Sequence, residues 1–139
     1  MSERSLRPLA VAFRIGGVWD ALIGFACIFV IGTGRLIDQP PHLDPFYAVF
    51  LGSFFLCFAY LQILSAVNIR RYAFNVGCII FGRMFYVIQL IAFTALGESL
   101  PSPFWLGAII DTAIVVAYVS LAIRGGLRIH DLFLPQSPE

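Results

Sequence analysis

The sequence predicts an all-α integral membrane protein, an antiparallel bundle of four transmembrane helices. Three observations carry that expectation. The 139 residues are 60% hydrophobic and only 12% charged, whereas soluble domains sit nearer half apolar and a quarter charged. Four stretches reach the roughly 20 mainly apolar residues that a spanning helix needs. Prolines fall between those stretches, where their missing backbone donor does no harm. A soluble domain of this size has too little interior to hide so much apolar surface, whereas a bilayer acts as the apolar solvent itself. Long, continuously apolar segments favour helices over barrel strands, which alternate over about 10 residues.

The first span is read over residues 9–32. Its basic start (Arg4, Arg7) has the look of a secretory leader. Arg14 and Asp20 interrupt the apolar run, which continues to Ile31, so a retained first helix is expected. A polar linker follows with Arg35, Asp38, Pro40, Pro41, His42, Asp44 and Pro45. The second span covers 46–67 and ends at Asn68, Arg70 and Arg71; the third covers 75–96. A short link holds Gly97, Glu98, Pro101 and Pro103, and the fourth span, 104–123, stops at Arg124, Gly125 and Gly126. In the tail, 124–139, Leu127, Ile129, Leu132 and Phe133 are placed to rest on the membrane surface. Residues 1–139 are thus read as a single transmembrane domain.

Loop charge sets the orientation. Arg4, Arg7, Arg70, Arg71, Arg124 and Arg128 fall on one side, and Arg35 on the other. An even number of spans keeps the termini together, so both are expected in the cytoplasm. Tyr72, Phe104 and Trp105 fall at interfaces, where amphipathic rings belong. The net charge of +1 makes no case for nucleic acid or for an acidic partner. The surroundings this composition demands are the lipid bilayer.

Four ionisable residues lie inside predicted spans: Arg14, Asp20, Arg83 and Asp111. A charge at mid-membrane costs about 2.5–3.5 kcal/mol on insertion scales, so these residues are expected to face the interior and pair. At 1.5 Å per residue, Asp20, Arg83 and Asp111 fall in one layer, roughly 12–19 Å from the cytoplasmic end, with Arg14 nearer that end. Arg83 is therefore expected to pair with Asp20 or Asp111. Arg14 either closes the network or snorkels to the interface. Gln89 and Tyr86 lie close by along the third span, while Gln62 and Tyr118 fall nearer the cytoplasmic side. The ion- or substrate-binding candidates are Arg14, Asp20, Arg83, Gln89 and Asp111. An Arg fork suits two carboxylates that lock helices in register, while intramembrane charges also mark proton and solute pathways. The sequence leaves both readings open.

Other chemistry finds little support. Cys27, Cys57 and Cys78 fall at different heights on three helices, too far apart for zinc–sulfur bonds of about 2.3 Å. His42 and His130 lie outside the spans, which argues against a bis-His haem within the bundle. No G-x-S-x-G, P-loop or G-x-G-x-x-G occurs. No catalytic residue, metal site or cofactor is therefore assigned. Gly16, Gly17, Ala21 and Gly24 give the first helix a small-residue face that suits close packing, within the bundle or against a second subunit.

Several features together resemble the DoxX-like group of small four-span bacterial membrane proteins. They are Arg14 and Asp20 in the first helix, Gly52 and Tyr60 in the second, Arg70 and Arg71 before the third, the Gly82–Arg83 pair, and Asp111 in the fourth. The resemblance covers most of the chain. It implies a bacterial inner membrane and a place in a partner complex, and it transfers no catalytic residue; a homo-oligomer is the other arrangement expected. The leading expectation is a non-catalytic membrane subunit whose Arg/Asp network locks the helices. The alternative is a small transporter or ion or proton pathway using the same charges. A third reading, an enzyme on a lipid or quinone, lacks a nucleophile or metal constellation.

Overall fold

The structure, a computed structural model, describes residues 3–31, 45–97, 99 and 102–134. All regular structure among them is helical. A 3-10 turn, Glu3–Leu6, leads into α1 (Arg7–Phe25), which passes into a π-helical stretch, Ala26–Ile31. Then come α2 (Pro45–Val67), α3 (Ala73–Ala95), α4 (Ser102–Arg124) and the short α5 (Ile129–Phe133). The linker residues Arg35, Asp38, Pro40, Pro41, His42 and Asp44, together with Glu98 and Pro101, lie outside the described residues.

The four long helices cover the four predicted spans, each starting about a turn or less earlier than the apolar runs. The prolines explain part of the shift. Pro45 opens α2 and Pro103 is the second residue of α4, not part of the connections as the sequence suggested. A proline in a first turn loses no hydrogen bond, and its fixed φ already suits a helix. The end of α4 is equally local. Gly126 has φ +78. The Gly126 N–H donates to Ile123 O and the Leu127 N–H to Ala122 O, closing the helix in a Schellman arrangement that needs a left-handed residue.

Four helices are long and apolar enough to cross a membrane. Each is of the order of 30 Å long at 1.5 Å per residue, the thickness of a bilayer core. Between 22% and 33% of the residues in each apolar stretch are buried within the chain, so most of the apolar surface faces outward. Phe46, Phe50 and Phe54 form an exposed aromatic ladder on α2, and Phe81 stacks on Phe85 on α3. Patches of this extent are rare on soluble monomers. Four hydroxyls are satisfied within their own helices: Ser53 donates to Val49 O, Ser65 to Leu61 O, Thr94 to Leu90 O and Thr112 to Ala108 O.

Internal contacts divide the chain, read above as one domain, into two compact units. The first holds residues 10–68, with most of α1, the π-helical stretch and α2. Here the small-residue face of α1 meets α2. A Cβ on Gly17 would lie 3.1 Å from Ala59 O, and one on Gly24 would lie 2.9 Å from Gly52 O. Contacts climb α1 as they descend α2, so the two helices run in opposite directions. Gly17 and Gly24 thus serve packing inside the chain.

The second unit holds residues 1–9 and 69–139. Here α3 packs on α4, α5 on α3, and the 3-10 turn on α4. Buried positions Ala108, Val115, Tyr118 and Ala122 recur on α4 at heptad spacing, the seam of close-packed antiparallel helices. Tyr86 donates to Phe104 O at 3.2 Å. At Gly77, α5 comes so near α3 that a Cβ would overlap the Leu132 carbonyl.

Candidate functional site

The buried polar groups sit on these packing stripes. In the first unit, Asp20 follows Gly17 by three residues and precedes Gly24 by four, so it shares their face. Gln62 likewise shares a face with Ala59 and Ala66, all three buried. The Gln62 amide donates to Asp20 Oδ2 at 2.5 Å and to Phe58 O at 3.3 Å. Both side chains are fully buried. The carboxylate and the amide therefore bridge α1 and α2 where the glycines bring the backbones together.

In the second unit, Arg83 lies on the buried stripe of α3 with Val76, Ile80 and Leu90. Asp111 lies on the α4 stripe, three residues after Ala108 and four before Val115. Arg83 Nη1 donates to Asp111 Oδ1 in a direct ion pair. The Arg83 side chain is 4% exposed and that of Asp111 16%. Coulombic attraction is strong in such surroundings, but it must first offset the cost of stripping water from both ions. Tyr86, one turn along α3, lies against Gly107 on α4.

Of the five residues predicted for the site, Arg83 and Asp111 are joined as expected, and Asp20 is buried and bound to Gln62. Arg14 and Gln89 are exposed. One geometric reason covers both. Arg14 is six residues from Asp20, and Gln89 six from Arg83. At 3.6 residues per turn, six residues rotate a side chain about 120° off the reference face. Height along the helix had placed Gln89 near the polar centre, and direction around it turns Gln89 away; Arg14, expected either to close the network or to reach for the interface, is exposed and not buried with it. Gln62 was missed as the Asp20 contact because its height alone put it nearer the cytoplasmic side. Its spacing from Ala59 and Ala66 was the signal that could have found it.

The chemistry of the remaining groups is modest. Cys27 is buried, Cys78 half-buried and Cys57 exposed, all as free thiols. His130 is exposed on α5. Among the described residues no group of three or more His, Cys, Asp or Glu is placed to hold a metal ion. Comparisons with protein-family models, curated proteins and solved structures return no match.

Proposed function

We propose that this chain is a non-catalytic integral membrane protein, an antiparallel four-helix bundle that works as a homo-oligomer or as an accessory subunit of a membrane complex. In this reading both termini lie in the cytoplasm of a bacterial inner membrane, in keeping with the DoxX-like resemblance. The observation that carries it is the placement of the buried polar groups. The contacts of Gln62 with Asp20 and of Arg83 with Asp111 each tie a helix to the next one along the chain. Each also lies on the stripe that packs the two helices together. Polar groups so placed fix register, because any slip would strand a charge in an apolar medium.

A small transporter or ion pathway using the same charges is the second reading. It is favoured by the Asp111 carboxylate, which keeps 16% of its side-chain surface exposed while Arg83 is nearly sealed.

The test joins three measurements. Carbonate extraction of membranes asks whether the chain is integral. Native mass spectrometry of the solubilised protein asks whether it carries copies of itself or other subunits. Ion and proton flux is then followed in vesicles holding wild type or Asp111→Asn. The accessory-subunit reading expects retention in the membrane, a multi-chain complex and no flux. Flux that disappears in Asp111→Asn would move the assignment to the transporter.

A further inference from the structure

One end of the second unit gathers five of the chain's nine arginines and an apolar finger. Arg70 and Arg71 immediately precede α3, Arg124 closes α4, Arg128 precedes α5, and Arg7 opens α1 beside the turn that packs on α4. All five side chains are exposed. They share one end because α3 and α4 run in opposite directions, Gly125 meets Leu6, and Gly77 near the start of α3 meets Leu132 of α5. Arg71 extends over the Tyr72 ring, 5.6 Å from its centroid, a cation–π contact. The acid on α5 is engaged locally. Asp131 accepts from the Arg128 backbone N–H at 3.2 Å, a carboxylate at a helix start.

The finger is α5 with its flanks. Leu127 and Leu132 are buried against the unit, while Ile129, Phe133 and Leu134 are 65%, 45% and 50% exposed. A short helix fixed on one side, with Ile129, Phe133 and Leu134 exposed beside His130 on the other, suits the boundary between acyl chains and headgroups. Arginines beside it suit phosphate, because positive side chains near the headgroup level are attracted to anionic lipids.

We propose that this end binds the headgroups of anionic phospholipids, with Ile129, Phe133 and Leu134 dipping into the acyl boundary and Arg70, Arg71, Arg124 and Arg128 engaging lipid phosphates. The inference rests on the membrane reading above and adds the lipid class. Each basic residue near an anionic surface strengthens binding by about fivefold, so removing three weakens it on the order of a hundredfold.

The test uses the full chain in neutral detergent, with phosphatidylglycerol, phosphatidylcholine or inorganic phosphate added, read by native mass spectrometry. Wild type is expected to retain phosphatidylglycerol over phosphatidylcholine. The triple variant Arg71→Gln, Arg124→Gln, Arg128→Gln should lose that preference. The corresponding triple Lys variant, which keeps the charge, should keep it, and Arg14→Gln should also keep it. Equal retention of the two lipids, a preference that survives the Gln triple, or its loss in the Lys triple overturns the proposal. Competition by millimolar inorganic phosphate alone would overturn the assignment to a lipid. Carbonate extraction separates the two failures: a chain that stays in the membrane but shows no lipid preference loses only this inference.

Discussion

Gln62 reaches from α2 to Asp20 on α1 at 2.5 Å, just where Gly17 and Gly24 bring the two backbones together. The glycines and the hydrogen bond depend on each other. Without the close approach, the amide would not reach a fully buried carboxylate. Without the amide, that carboxylate would lose a donor in the driest part of the unit. Gln62→Leu is therefore expected to destabilise the protein by about 1–3 kcal/mol, the cost of depriving a buried polar group of a hydrogen bond. Thermal unfolding in detergent measures this, and a variant as stable as wild type would remove the hydrogen bond from the account.

The glycine crossing is tested separately. A Cβ on Gly52 would lie 2.7 Å from Gly24 O and 2.6 Å from the Ile28 side chain. The carbonyl belongs to a helix backbone and cannot turn aside as a side-chain tip can. Gly52→Ala should cost about 1–3 kcal/mol through overpacking. An unchanged melting temperature would show that α1 and α2 are not so closely apposed.

A third prediction concerns the tail. Gly77→Ala places a methyl group where the Leu132 carbonyl stands, so α5 must leave its seat on α3. The four long helices contain no part of α5, and they should remain folded. Limited trypsin digestion reads the effect: cleavage after Arg124 and Arg128 should quicken severalfold while the helical circular dichroism signal barely changes. Equal digestion rates would mean that α5 is not held through this contact.

The four helices were legible in the sequence because the length and composition that suit a helix to a bilayer show in each segment independently of its neighbours. The Arg83–Asp111 pair was legible for a related reason: an ion in an apolar span needs a counter-ion, and height along the helix narrows the choice. Height says nothing about direction around the helix, which is why Gln89 was expected beside the polar centre and why the two alternatives for Arg14 stayed open. The small-residue face of α1 was visible as well. Its use became clear only from α2, where Gly52 and Ala59 face it. Proline positions misled in a smaller way, since Pro45 and Pro103 begin helices instead of preceding them.

That correction has its own consequence. Because Gln89 is exposed on α3, Gln89→Leu should leave stability within about 0.5 kcal/mol, the range of surface changes remote from special contacts. A loss of 2 kcal/mol or more would show that Gln89 belongs to the polar centre after all. Chemical denaturation in detergent gives the number.

The claim that buried charge locks the helices is tested most directly by a double-mutant cycle on Arg83 and Asp111. Arg83→Met and Asp111→Leu are made singly and together, and the unfolding free energy of each is measured in the same detergent. Each single change should cost about 3–5 kcal/mol, because it strands the other ion in an apolar setting, and the double variant should recover most of that loss. Single variants as stable as wild type would contradict the account. Their charges would then contribute nothing to the fold, and the pair would have to be explained by what it binds or conducts.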